Sequence, residues 1–351
     1  MARNLVLTDP RHVPREHGRL ARLALKYIKD ERDLPFAWLS LGIVGVLLPF
    51  AALLYWPGVF TWWLGGAYLA VNFTLFFDRF ILMLHNTSHR PLFKRAYRRW
   101  NKAVPWVFGP LFGQTPETYF THHIGMHHAE ENLANDLSTT MPFRRDSFRD
   151  FLIYWSRFFF AGIFDLAAYH YRRGRTKLFR MTLIGELSWY AAVVALMLIN
   201  WQATLTVFVV PFVAARFLMM AGNWSQHAFI DPVDPANPYK SSIVCINCRY
   251  NERCFNDGYH IGHHEKATRH WTEMPADFEA KRARYVAEDA VVFEGTDYFA
   301  IWLWLMLKRY DKLADHFLEL RDEPRSRQEI IAMLKERVQP TPHAALESAT
   351  A

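Results

Sequence analysis

A chain of 351 residues that is 51% hydrophobic and carries a formal net charge of +7 is long enough for one large domain or two ordinary ones. Its apolar residues gather in two blocks, roughly 36–84 and 181–222, with basic residues at their borders, which excludes a nucleic-acid partner and suits anionic lipid head groups. The three cysteines, Cys245, Cys248 and Cys254, are odd in number and close together, which argues against a disulfide framework and fits a reducing compartment.

Residues 1–35 are polar and mixed in charge, so they do not read as a cleavable secretory signal; they form a cytoplasmic N-terminal segment. Residues 36–56 carry no charge and, at about 1.5 Å per residue, just span a bilayer core of roughly 30 Å. Pro57-Gly58 breaks the run. A second uncharged run, 59–77, predicts a helix continuing through Asp78 and Arg79 towards His85, so that 36–84 form a transmembrane hairpin. In the region 85–180 two aromatic stretches, 104–112 and 151–164, have an interfacial pattern and are expected to lie on the membrane rather than cross it. Residues 187–215 are uncharged and too long for one ordinary span. Cutting them near Asn200-Trp201-Gln202 gives helices of about 181–199 and 203–222, a second hairpin over 181–222 with Arg216 inside its last helix. Residues 223–320 form a further cytoplasmic region. Residues 321–351 are a charged tail with a short helix and a frayed end.

The connections near 57–60 and 200–203 contain no Lys or Arg, whereas the N-terminal segment and the middle loop are rich in both. The positive-inside rule therefore places both termini and the middle loop in the cytoplasm.

Ten of the sixteen histidines fall in four groups: His85 and His89; His122, His123, His127 and His128; His227; and His260, His263 and His264. Gaps of three or four residues put side chains on one helix face. The inferred topology brings all four groups to the same side of the membrane. An apolar pocket of unpaired imidazoles would cost roughly 1–3 kcal/mol per group, so a metal site is the expectation. Zinc takes four ligands; this number suits two ions with four or five imidazoles each. Imidazole accepts zinc, copper, iron and nickel alike. Ligating imidazoles need a partner for their second nitrogen, and Glu130, Glu131, Asp136, Asp257 and Glu265 lie close in sequence. Cys245, Cys248 and Cys254 with His260 offer a rival zinc-like set, but packed, reduced thiols are the simpler reading.

HxxxH, HxxxHH and HxxHH, in this order between two apolar hairpins, resemble the membrane fatty acid desaturase and hydroxylase superfamily over roughly residues 36–275. The resemblance implies an all-α membrane protein: four transmembrane helices in two hairpins, with a helical cytoplasmic cap carrying the histidine boxes. It implies a non-haem diiron centre with dioxygen as co-substrate. Its ligands would be His85, His89, His123, His127, His128, His227, His260, His263 and His264. Asn223 would contact one iron through water, and His122 and Asp257 would lie in the surrounding layer. The middle box has three residues between His123 and His127 where many acyl-CoA desaturases have two, which leaves the subfamily open. The implied function is an oxygen-dependent acyl desaturase acting on a fatty acid, acyl thioester or lipid. No cytochrome b5 domain is visible, so electrons are expected from a ferredoxin, rubredoxin or cytochrome b5 with its reductase. The same boxes serve hydroxylases and decarboxylases that form terminal alkenes. A non-catalytic membrane metal-binding or transport protein is the reading from another class.

Overall fold

The computed structural model describes residues 5–341. It is mainly helical, and among the described residues four helical runs are long and apolar enough to cross a membrane: Glu31–Leu54, Trp62–His89, Phe148–Arg172 and Thr176–Gln226. The chain divides into two compact units. One comprises His12–Gly125 and Ile163–Arg216; the other comprises the chain up to Arg11, Met126–Gly162 and Phe217 onward.

The first unit is the apolar one. Its first two runs are separated where Pro57-Gly58 stands, with Gly58 at φ +78°, a turn conformation that a side chain resists. The Thr61 hydroxyl then accepts from the Leu64 amide at 3.2 Å and caps the next helix. That helix runs through Asp78 and Arg79 to His89, as its uninterrupted pattern predicts. Each of these runs contains one wide π turn, at Ile43–Leu47 and Asn72–Phe76. The run Thr176–Gln226 would be about 77 Å long as a straight rod, more than twice a bilayer core. It breaks at Asn200 (φ −154°, ψ 97°), where the sequence calls for a cut. Around the two breaks Trp56, Trp62, Trp63 and Trp201 are all exposed, the distribution expected of an interfacial aromatic belt. Trp62 and Trp201 pack edge to face at 6.0 Å, and the Tyr55 hydroxyl donates to Thr204 at 2.8 Å.

The stretch 151–164 is the middle of a 25-residue helix, Phe148–Arg172, longer than the aromatic segment itself and long and apolar enough to cross a membrane. The helix passes through Gly162 and Asp165 and is followed by Gly174 at φ +66°, a left-handed conformation that stops it.

Arg216, a charge inside an apolar helix, is neutralised locally. Its guanidinium lies 3.4 Å from Glu186, stacks 3.7 Å above the Phe212 ring and reaches the Gly113 carbonyl; Thr115 donates to the same Glu186 oxygen at 2.5 Å. Nearby, Gly185 lies so close to the Pro116 carbonyl that a Cβ would stand 1.7 Å from its oxygen, so only glycine permits this approach.

The second unit carries an element that an all-α reading misses. β1 (Ile243–Ile246) pairs in parallel with β2 (Val291–Glu294), Ile243 opposite Val291. Both are short β-branched runs and both are buried, which is how a parallel pair is accommodated. The fully buried Arg145 organises the surrounding loops, donating to the carbonyls of Thr140, Met141, Phe143, Ala228, Arg337 and Gln339. The helix Arg327–Arg337 starts at a capping box formed by Ser326 and Glu329. Residues 342–351, the end expected to fray, lie outside the described residues.

Candidate metal centre

In the second unit, imidazole nitrogens of His127, His227, His260 and His264 all lie within 4.8 Å of one another. Nε2 of His260 is 3.1 Å from Nε2 of His227 and 3.0 Å from Nε2 of His264. A separate pair, His128 and His263, has its Nε2 atoms 2.9 Å apart. In the apolar unit His85, His89 and His123 come together, with ring centroids 4.6 Å apart for His85–His123 and Nε2 atoms 3.1 Å apart for His89–His123. Every histidine expected as a ligand therefore falls in one of these sets. His122, the expected bystander, belongs to none of the metal-capable groups found among the described residues.

The boxes do not each serve one face. Adjacent side chains on a helix point about 100° apart. His127 joins the four-histidine nest, while its neighbour His128 turns to His263; His264 joins the nest, while its neighbour His263 turns to His128. Each His-His doublet is a fork. His123–His127 itself is a single π turn, a geometry frequent at functional sites.

The second nitrogens show what the nest is for. His127 Nδ1 lies 2.7 Å from the Asp136 carboxylate, which also accepts from the amides of Asn132 and Ser138 and from the Ser138 hydroxyl. His227 Nδ1 donates to the Ser241 carbonyl at 2.9 Å. With Nδ1–H committed in this way, the Nε2 atoms of His127 and His227 present lone pairs to the nest. Lone pairs of His127 and His227 aimed into a cluster of imidazole nitrogens are the donor set that a metal ion takes. Burial and the neighbouring imidazoles push the His227 pKa down from 6.5 to about 3, and push His264 well below its ordinary value. His227 and His264 are thereby held neutral, the state in which imidazole ligates. For Asp136, burial alone would raise the pKa, but the charge and hydrogen bond of His127 and the donors of Ser138 outweigh it and hold the carboxyl below the usual range.

The sign of the resulting pH dependence is fixed. Where an imidazole's folded pKa is depressed, the unfolded chain takes up a proton first. The metal-free protein is therefore expected to lose stability as pH falls from about 6.5 towards about 3. Asp136 is depressed in the other sense of charge, so its contribution persists above the ordinary carboxylate range and disappears only at lower pH. Melting temperatures of the metal-free protein across this window check the point, and a flat profile would contradict a neutral buried nest. Asp136→Asn is expected to lower metal affinity roughly 10–100-fold, as loss of such a partner does elsewhere, measured by competition with a chromophoric chelator.

Of the five acids close to the boxes, Asp136 sits directly on an expected ligand, His127. Its neighbourhood carried a usable signal: Asp followed two positions later by Ser, a sequence that folds its own backbone onto the carboxylate. Asp257 accepts from Tyr250 at 2.7 Å and Gln226 at 3.4 Å, and Glu265 pairs with Lys281 and Arg284. Asn223 is one turn before His227. Its amide donates to the Tyr154 hydroxyl at 2.7 Å and the Ser138 carbonyl at 3.0 Å, a link to the Asp136 loop that the sequence did not disclose. The cysteines form no disulfide among the described residues and are buried, and burial pushes the Cys248 thiol up to about 12 and the Cys245 thiol well above its ordinary value. Among the described residues no metal-capable group includes a cysteine.

The third box is fixed from the N-terminal end of the chain. Asp9, buried, accepts from the Tyr259 hydroxyl at 2.5 Å, the Asn247 amide at 2.8 Å, the Asn251 side chain at 3.0 Å and the Cys248 amide at 3.4 Å. Tyr259 directly precedes His260. Asn251 also donates to the Cys245 carbonyl and accepts from the Gly258 amide; a Cβ on Gly258 would stand 2.3 Å from that carbonyl.

Apolar helices long enough to cross a membrane, together with converging imidazoles that could hold metal ions, fit an integral membrane protein with a metal centre. The model of the fatty acid desaturase family matches residues 61–296, and the chain belongs to that family, whose members are oxidoreductases of lipid metabolism. No curated protein and no solved structure gives a significant match.

Proposed function

We propose that the protein is an integral-membrane, dioxygen-dependent fatty acyl desaturase. Two irons would be held by His85, His89, His123, His127, His128, His227, His260, His263 and His264, with Asn223 contacting one of them through water. The observation that carries this reading is the nest of four converging imidazoles, three of them buried, in which the outer nitrogens of His127 and His227 are bonded to Asp136 and the Ser241 carbonyl. The family match supplies the substrate class, an acyl chain in a membrane.

The bound irons would supply the dioxygen chemistry that removes hydrogen from an unactivated methylene. Overall, an acyl –CH2–CH2– unit, O2, two electrons and two protons give –CH=CH– and two waters. The protein's own part is to hold the ligands rigid and neutral. Asp136 and the Ser241 carbonyl fix the orientation of His127 and His227. Tyr154, Asn223 and Ser138 tie the Asp136 loop to two helices. Burial keeps bulk water from the nest. The reading includes two transmembrane hairpins, 36–84 and 181–222. The termini and the histidine-bearing regions 85–180 and 223–320 lie in the cytoplasm, where a separate ferredoxin, rubredoxin or cytochrome b5 delivers electrons.

Expression with such a donor and its reductase, followed by gas chromatography of the lipids, tests the proposal. The expected product is an acyl chain lighter by two hydrogens. A hydroxylated chain, or an alkene one carbon shorter than the acid supplied, would replace desaturation with its nearest alternatives. Iron bound without oxygen-dependent loss of substrate would leave only a metal-binding protein.

A further inference from the structure

Two stretches that flank the first two apolar runs meet in the apolar unit. Ile28 bridges Phe93 in antiparallel fashion, the Lys29 amide donates to the Leu92 carbonyl, and the Lys94 amide donates to the Tyr27 carbonyl, both at 2.9 Å. The first stretch leads into Glu31–Leu54 and the second follows the run that ends at His89. Their meeting point is therefore the level at which both helices leave the bilayer.

An aromatic cluster is built on this junction. Tyr27 stacks on Trp100 at 5.4 Å, while Tyr97 packs against both and Phe93 meets Trp100 edge-on. The cluster holds the short 3-10 helix Arg95–Lys102, none of whose residues is buried. Its cations are not equivalent. Lys102 is bound to Glu117, and the neighbouring Lys94 donates to the Leu25 carbonyl. Arg95, Arg98 and Arg99 are exposed and form no ion pair among the described residues, and residues 91–116 contain no acid at all. Arg95 and Arg98 are three apart, one turn of a 3-10 helix, and so share a side. Trp100 is half exposed beside them.

Unneutralised guanidiniums next to an exposed indole, at a depth set by two helix ends, match the chemistry of the lipid interface. The indole belongs at the head-group level, and guanidinium binds phosphate oxygens in pairs. We propose that Arg95, Arg98, Arg99 and Trp100 form a docking site for the phosphates of anionic phospholipids in the leaflet where the first two helices end. The site anchors the end of the helix that carries His85 and His89. It rests on the membrane placement of these helices and not on which oxidation the protein performs.

The test uses the full-length protein in phosphatidylcholine vesicles containing phosphatidylglycerol, with spin-labelled lipids reporting which head group contacts the protein. Preference for phosphatidylglycerol is expected to fall by more than about ten-fold in R95Q/R98Q/R99Q, since each cation at an anionic surface is worth up to roughly five-fold. R95K/R98K/R99K keeps most of it, and R98Q alone shows a smaller loss, which covers the case in which the triple variant fails to fold. R249Q/K266Q/K335Q, exposed cations of the other unit, should change nothing. Unaltered preference in the triple glutamine variant overturns the proposal, as does an equal loss in the control. A triple variant with normal lipid preference but a raised KM for the electron donor would reassign the surface to a protein partner.

Discussion

Replacing His264 by alanine is expected to remove one metal ion per chain and lower turnover by at least about a hundred-fold, a loss at the upper end of what even an outer partner of a ligand produces. The nest would be left with His127, His227 and His260, and with a cavity where the fourth nitrogen stood. His122→Ala, made beside it, should leave metal content and turnover unchanged, because His122 belongs to none of the metal-capable groups. Metal analysis of the purified variants, with melting temperatures of their metal-free forms, separates loss of a ligand from loss of the fold. Full metal occupancy in the His264 variant would remove the nest from the account.

Asp9→Ala should be costly for a different reason. The carboxylate accepts from Asn247, Cys248, Asn251 and Tyr259, and its removal takes the acceptor from the Asn247 and Cys248 amides and the buried Tyr259 hydroxyl, while Asn251 keeps the Cys245 carbonyl. An unsatisfied buried donor costs about 1–3 kcal/mol, and breaking a buried charged network about 3–5 kcal/mol. The expected result is a loss of about 3–5 kcal/mol, together with faster release of metal to a chelator because Tyr259 adjoins His260. Asp9→Asn keeps one acceptor and should recover part of both. If metal release is unchanged while the melting temperature falls, Asp9 serves the fold and not the metal site.

These two residues mark the limits of what the chain reveals before folding. His264 is legible because spacing is local: three or four residues decide which helix face a histidine occupies. Uncharged runs give the apolar helices for the same reason, including the break at Asn200. Asp9 is not legible. Its partners lie some 240 positions away and nothing in its neighbours announces them; it also falls outside the segment matched by the family. The helix Phe148–Arg172 extends beyond the aromatic stretch 151–164 at both ends, because a helix ends only where its backbone is stopped and not where its apolar residues give out. The pairing of β1 with β2 joins two four-residue runs through a long connection, and such short runs carry no periodicity of their own.

The two His-His doublets act as a ruler. Consecutive Cα atoms are held about 3.8 Å apart by covalent geometry, so the nest and the His128–His263 pair cannot drift apart by side-chain adjustment. Two divalent ions set by that ruler repel each other strongly: for unit charges 4 Å apart at an effective dielectric of 20 the figure is already about 4 kcal/mol. Every proposed ligand is uncharged, so the ligands themselves offset none of this. Loading should then be stepwise, the second ion binding more weakly than the first. A single residue inserted between His263 and His264 would reset the ruler itself, with no imidazole lost.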